Sequence, residues 1–118
     1  MEFSADKPIY RQVADFCTSR ILEGQWAPEE RIPSTKELAI QLAVNNRTVM
    51  KAYDDLAAAG VIYQRRGLGY YVAENATSLL REMLRKEFIN NTVPDIIAQM
   101  RTAGLTRLII DNNTVQFD

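Results

Sequence analysis

The stretches Ser34-Thr35-Lys36-Glu37-Leu38-Ala39 and Val44-Asn45-Asn46-Arg47-Thr48-Val49 decide the fold expected of this chain. Ser34 and Glu37 have the spacing of a capping box, in which each side chain accepts a hydrogen bond from the other residue's backbone N–H. A helix is therefore predicted to begin at Ser34. The two asparagines favour turns and helix N-caps, so a second helix is predicted to follow them. Because only a few residues separate the two helices, the pair has the spacing of a helix-turn-helix.

Apolar residues recur at spacings of three and four along three segments, which predicts three amphipathic helices. The first begins at Pro8, because proline suits the first turn of a helix, and it ends near Gly24. The faces of the next two helices that are predicted to be buried are Leu38, Ala39 and Leu42, and Val49, Ala52, Tyr53 and Leu56.

A short hairpin is predicted after the third helix. Residues 61–64 and 70–72 have the composition of strands, and the five residues between them, Arg65-Arg66-Gly67-Leu68-Gly69, form a glycine-containing tip with two cations. Three helices followed by a hairpin predict a winged helix-turn-helix over residues 1–73. The fold class is thus mostly α with a small β-hairpin.

The composition changes after residue 73, where residues 74–77 are expected to form a linker and residues 78–118 a short helical tail. Two amphipathic helices are predicted in it, interrupted at Asn90-Asn91-Thr92, and residues 111–118 are expected to be frayed. Two isolated helices cannot shelter their apolar stripes, so the tail is predicted to dimerise; the alternative is a monomer in which it folds back on the winged domain. The predicted dimer contacts are Leu79, Leu80, Met83, Leu84, Phe88, Ile96, Ile97 and Met100.

The composition argues against an enzyme. The chain has no histidine, which removes the commonest general base and the usual metal ligand, and its one cysteine excludes a cysteine-rich zinc site. No metal and no cofactor are therefore expected. Cys17 is expected in the core, with a redox sensor as the alternative. The chain lacks a long apolar run and a secretion signal, so a soluble cytoplasmic protein without a membrane partner is expected.

The net charge is −1, from 14 basic and 15 acidic residues, and this is far from the basic balance of many DNA-binding domains. The distribution of charge is nevertheless informative. Between Arg31 and Arg66 the basic residues fall at predicted helix starts and in the glycine-rich turn, where phosphates are usually met. Double-stranded DNA is therefore the expected partner, and its binding would depend on locally placed charge.

The motifs together resemble the GntR family of transcription regulators. The resemblance is carried in unbroken order over about residues 8–73, by Pro8-Ile9-Tyr10-Arg11-Gln12-Val13, Arg31–Ala39, Val44–Val49, Ala52-Tyr53, Leu56, Gly60-Val61-Ile62 and Arg65–Val72. The short tail is similar to that of the YtrA-type subgroup, whose C-terminal helices serve dimerisation. The chain differs from the usual pattern at Lys36, Asn46, Arg47 and Met50, which all lie in the predicted helix-turn-helix.

Specific candidate DNA contacts follow from this expected fold. The third helix should insert its N-terminal end in the major groove, with Arg47 as the first choice for a base contact. The start of the second helix should meet backbone phosphates, and the wing should meet the minor groove or flanking phosphates. Ser34 and Asn45 could instead serve only as helix caps, and the wing could be an ordinary charged hairpin. The full set is Ser34, Thr35, Lys36, Asn45, Asn46, Arg47, Thr48, Lys51, Arg65, Arg66 and Gly67.

The expected function is that of a sequence-specific transcription regulator. The family resemblance implies a repressor, acting as a homodimer on a palindromic operator, with transporter genes as targets by analogy. An unidentified small-molecule effector is a further partner, although the tail is too short for a ligand pocket like that of larger members. A protein-interaction module and an enzyme are the competing function classes.

Overall fold

A computed structural model describes residues 2–118, which divide into two compact units, one ending at Arg81 and the other spanning Glu82–Asp118. No helix among these residues is long and apolar enough to cross a membrane. The elements in chain order are α1 (Ile9–Leu22), α2 (Thr35–Leu42), α3 (Asn46–Ala58), β1 (Ile62–Arg65), β2 (Gly69–Val72), α4 (Ala76–Glu87), a π-helical turn (Phe88–Thr92), α5 (Val93–Thr102), β3 (Leu108–Asp111) and β4 (Thr114–Phe117).

The predicted starts of α2 and α3 are confirmed. The Ser34 hydroxyl accepts the Glu37 N–H at 3.1 Å, and the Glu37 carboxylate accepts the Ser34 N–H at 3.1 Å, which completes the capping box. The Asn45 side chain accepts the Arg47 N–H at 2.8 Å. Between the helices, Ala43 takes the left-handed conformation with φ 55°, and three residues carry the chain from α2 into α3.

The predicted core faces of α2 and α3 are buried, together with Val13, Cys17 and Ile21 of α1. Tyr53 is fully buried, and its ring meets Tyr70 of the wing edge-to-face, with 5.0 Å between the ring centres. Burial raises the pKa of the Cys17 thiol to about 12. A buried, protonated thiol packs as a small apolar side chain, which favours the core role over a redox sensor.

The wing is a three-stranded arrangement. β1 and β2 pair as predicted, but the strands extend further, because Arg65 pairs with Gly69 and only residues 66–68 remain in the tip. The connector before α2 then pairs with the other edge of β2: Ile32 donates its N–H to the Tyr70 carbonyl at 2.9 Å, and Glu29 donates its N–H to the Val72 carbonyl at 2.8 Å. Since a lone two-stranded hairpin is only marginally stable, this added pairing stabilises the wing.

The expected linker over residues 74–77 is wrong in its second half, because α4 begins at Ala76. Ala76 and Leu80 are buried in the core of the first unit, and Leu79 Cδ1 lies 3.7 Å from the position that a Cβ on Gly60 would take. Leu80 therefore serves this core and not the dimer contact that was expected of it. The start of the helix completes the apolar packing of the winged domain.

The expected interruption at residues 90–92 is also wrong, since the chain stays helical through one π-helical turn. Val93 donates its N–H to the Phe88 carbonyl, five residues earlier. Pro94 follows in the first turn of α5. Proline has no N–H and clashes with the carbonyl four residues before it in a regular α-helix, so a locally wider turn accommodates it.

Residues 111–118 were expected to fray, but they form most of a second hairpin. β3 and β4 pair antiparallel, with Ile110 opposite Val115, and Asn112 takes a φ of 48° in the turn, a conformation that asparagine tolerates. Arg107 and Asp118 close the open end through a 3.3 Å salt bridge. The tail is therefore helical only as far as Thr102.

Candidate nucleic-acid interface

The start of α2 presents donors suited to a phosphate. The first backbone N–H groups of a helix have no intrahelical partner, and the Ser34 hydroxyl already satisfies that of Glu37. Thr35 is half-buried, and Lys36 is exposed. Hydrogen bonds from Ser34 hold the pKa of the Glu37 carboxyl below its usual range, so this carboxylate remains available to complete the box. Lys36 thus stands beside a rigid helix start that favours anions.

The first turn of α3 carries the side chains predicted to contact bases. Arg47 is exposed and makes no side-chain hydrogen bond or salt bridge to any described residue, while Thr48 beside it is half-buried. Val49, on the opposite face, is fully buried and fixes the rotation of the helix. Asn45 caps the helix through its side chain. The Arg47 guanidinium at the start of α3 is therefore available to bind a partner.

Asn46 and Lys51 are more constrained than the sequence pattern indicated. The Asn46 amide donates to the Met50 sulfur at 3.6 Å, one turn further along α3, and its own oxygen is buried without a hydrogen-bond partner among residues 2–118. The Lys51 ammonium lies 4.5 Å from the centre of the Tyr10 ring. This cation–π contact holds Lys51 of α3 against Tyr10 of α1.

The wing places its two neighbouring arginines in different surroundings. Arg66 and Gly67 lie exposed at the tip, and Gly67 has a φ of 77° that favours glycine. The Arg65 guanidinium donates to the Glu29 carboxylate at 3.2 Å and lies 4.2 Å above the Tyr71 ring. The sequence pattern grouped both arginines at the tip, but the structure separates them.

Two residues of the connector, Arg31 and Glu29, were not among the predicted DNA contacts. Arg31 lies across β2 at Gly69, with its Nε 3.1 Å from where a Cβ would stand, so the absence of a side chain at Gly69 makes room for this cation. Glu29 has a φ of 66°, unusual for a residue other than glycine, and its carboxylate also accepts the Tyr63 hydroxyl. That hydrogen bond raises the pKa of Tyr63. Local sequence carries no signal for either contact, because both join residues more than 30 positions apart.

Comparisons with known proteins agree with this geometry. A family model described as bacterial regulatory proteins of the gntR family matches residues 9–72. The HTH-type transcriptional regulator YhcF of Bacillus subtilis strain 168 is 32% identical over 106 residues, which cover 90% of this chain and 86% of that protein. The HTH-type transcriptional repressor YtrA of the same organism is 35% identical, over 83% of this chain and 75% of its own length.

Solved structures show the same fold. A GntR family transcriptional regulator from Listeria monocytogenes has a TM-score of 0.74 at 30% identity and covers 89% of this chain and 90% of its own. The DNA-binding domain of AraR, solved in complex with operator ORR3, has a TM-score of 0.56 at 34% identity, over 62% of this chain and 88% of its own. In the second of these structures, AraR is bound to operator DNA.

Proposed function

Because the chain belongs to the GntR family of bacterial DNA-binding regulators, we propose that it is a sequence-specific repressor that binds a palindromic operator as a homodimer. The observation that carries the proposal is the first turn of α3, where Arg47 is exposed and uncommitted while the opposite face of the helix is buried. A helix presented in this way fits the major groove, and a free guanidinium can bond both acceptors of a guanine.

The start of α2 and the wing would supply the sequence-independent part of binding. Lys36, the hydroxyls of Ser34 and Thr35 and the free N–H groups of α2 are suited to one phosphate, while Arg66 and Gly67 are suited to the groove or phosphates beside the recognition helix. Residues 1–73 hold nine basic and nine acidic residues, so local placement has to supply the attraction. The DNA-binding domain of AraR, a relative in fold and sequence, is solved in complex with an operator, which supports operator binding by this fold.

The homodimer is proposed from apolar surface on the second unit. Met83, Leu84, Phe88 and Ile97 are each about half exposed, while Ile96 and Met100 are half-buried. The terminal hairpin adds an apolar face, because Leu108, Ile110, Val115 and Phe117 stand on one side of it in register. A surface of this kind is typical of a protein interface, and a symmetric dimer would also place two winged units on two half-sites.

The second unit also offers a place for a small-molecule effector. Ile97, Met100, Arg101, Leu105 and Thr106 line an open depression of about 340 Å³ at the end of α5, whose apolar walls and single cation suit a small amphipathic anion. Transporter genes are proposed as targets by analogy with the YtrA-type subgroup.

Selection of duplexes from a random pool by the purified full chain tests the proposal. A repressor of the proposed kind enriches an inverted repeat, and its binding to that repeat is salt-sensitive and much tighter than to a shuffled duplex of the same composition. Sedimentation of the complex should give two chains per repeat. Failure to enrich any sequence would contradict the proposal and favour a protein-interaction module.

A further inference from the structure

Glu29 is linked to the wing through both its backbone and its side chain. Its N–H is bonded to the Val72 carbonyl at 2.8 Å, and its φ of 66° directs the chain away from a regular strand. Its carboxylate accepts hydrogen bonds from the Tyr63 hydroxyl and from Arg65, whose Nη2 also lies 2.9 Å from the Tyr63 oxygen. The carboxylate is therefore held against the wing by the hydrogen bond from Tyr63 as well as by the ion pair with Arg65.

Arg65 is correspondingly confined. Its guanidinium lies over the Tyr71 ring at 4.2 Å and near the Tyr63 ring at 5.6 Å, and these two rings stack with 6.0 Å between their centres. An exposed ion pair alone would be a weak restraint, but a pair that is also stacked and hydrogen-bonded has fewer alternative geometries. Arg66, next in sequence, makes no side-chain hydrogen bond or salt bridge to the described part of the chain.

We propose that Glu29 is a specificity-determining residue of this regulator, which holds Arg65 against the face of the wing and leaves Arg66 as the cation that meets DNA. The inference rests on the proposed function, because it assumes that the wing touches the duplex. Glu29 acts through Arg65 and is a positioning residue. The pairing has two effects: it neutralises one cation that would bind any phosphate, and it holds the wing in one position.

Loss of these two effects should change the affinity for specific DNA differently from the affinity for non-specific DNA. With the negative charge of the carboxylate removed, the Arg65 cation is no longer neutralised and can bind a phosphate, and each added phosphate contact steepens the slope of log affinity against log salt by about 0.9. Non-specific affinity rises as a result. The specific complex gains less, since it needs the wing in one position and that position is no longer held. The ratio of specific to non-specific affinity therefore falls.

The test compares Glu29→Gln with Glu30→Gln in the full chain. Both variants raise the net charge by one, but the Glu30 carboxylate accepts the Ala27 N–H at 2.8 Å and makes no hydrogen bond or salt bridge to Arg65. The probes are the selected inverted repeat and its shuffled duplex, titrated by fluorescence anisotropy between about 50 and 200 mM salt. For Glu29→Gln on the shuffled duplex, we expect the loss of affinity over this range to be about threefold larger than for the unmodified chain, and for Glu30→Gln we expect it to be unchanged.

A double-mutant cycle with Arg65→Gln shows whether the effect passes through that residue. The Glu29→Gln/Arg65→Gln variant should have the salt slope of Arg65→Gln alone. Equal slopes for Glu29→Gln and Glu30→Gln, or a Glu29→Gln effect that persists without Arg65, would overturn the inference. If Arg66→Gln lowers affinity while Glu29→Gln changes nothing, only this inference fails. If the unmodified chain shows no preference for any duplex, both this inference and the proposed function fail.

Discussion

The Tyr53 hydroxyl, on the buried face of α3, donates a hydrogen bond to the Pro33 carbonyl, with 2.6 Å between the oxygens. Pro33 immediately precedes the Ser34 cap of α2. The contact therefore joins α3 to the residue that precedes the cap of α2. Burial raises the pKa of Tyr53 above its ordinary value, so the phenol stays protonated and remains a donor at any physiological pH.

Tyr53→Phe should destabilise the chain by about 1 kcal/mol, because the Pro33 carbonyl loses its partner while the ring still fills the core. Urea denaturation followed by circular dichroism measures the change. Tyr70→Phe is the matched control, since the Tyr70 ring touches Tyr53 but its hydroxyl makes no hydrogen bond to the described residues. An equal loss in both variants would show that the hydroxyl bond at Tyr53 has no special role.

Two substitutions at Ser34 should separate its cap from its proposed phosphate contact. Ser34→Ala removes the acceptor for the Glu37 N–H and should cost about 1 kcal/mol of folding stability, with weaker DNA binding. Ser34→Asp keeps a capping oxygen and should preserve stability, yet its charge repels a phosphate, so DNA affinity should fall. Normal DNA affinity in a stable Ser34→Asp variant would limit Ser34 to the cap.

Arg47→Ala should reduce discrimination between the selected repeat and the shuffled duplex by about 1–3 kcal/mol per site, with little effect on stability, because the side chain is exposed. Lys51→Ala is the comparison, since a phosphate contact should lower affinity for both duplexes by similar factors. Anisotropy titrations at one salt concentration measure both ratios. Unchanged discrimination in Arg47→Ala would place the base contacts elsewhere on α3.

Phe88→Glu should convert the proposed dimer to a monomer, because a carboxylate would be placed in the apolar surface of the second unit. Sedimentation velocity gives the mass, and circular dichroism checks the fold. Ile40→Glu is the control: Ile40 is 82% exposed on α2, outside the proposed dimer contacts, so its replacement should leave the mass unchanged. An unaltered dimer in Phe88→Glu would place the interface on another surface.

Cys17 should be inert towards thiol reagents in the folded chain at pH 8, since its pKa is raised to about 12 and its side chain is fully buried. The free energy of unfolding should also fall above about pH 9, which is the ordinary pKa of a cysteine thiol, because above that pH the thiol ionises only in the unfolded chain. Release of the coloured thiolate from a disulfide reagent, with and without denaturant, measures the reactivity. Rapid reaction of the folded chain would restore the redox-sensor alternative.

Much of the winged domain was predictable because its signals are local. Ser34 and Glu37 are three residues apart, as the capping box requires, and Asn45 lies two residues from the N–H that it caps. The buried faces of α2 and α3 follow from apolar residues at helical spacing. These features depend only on residues within one or two helical turns of each other, so the amino-acid sequence is sufficient to predict them.

The tail was less predictable, because its elements depend on packing and on backbone adjustments that have no strong local signal. Leu80 has the periodicity of a surface stripe, but the core of the first unit buries it. The asparagines at 90 and 91 favour a break, yet a π-helical turn carries the helix through them towards Pro94. Ile110 and Val115 face each other across a turn in which Asn112 takes a left-handed conformation.

The amino-acid sequence by itself determined the family, the helix-turn-helix, its caps and the cations that serve it, because each follows from residue type and short spacing. The tertiary structure alone decided the surroundings of those cations. Arg65 and Arg66 are neighbours with the same chemistry, but Glu29 folds against the first and not the second. A contact between residues 36 positions apart exists only once β2 has paired with the connector, and that pairing makes the two arginines different.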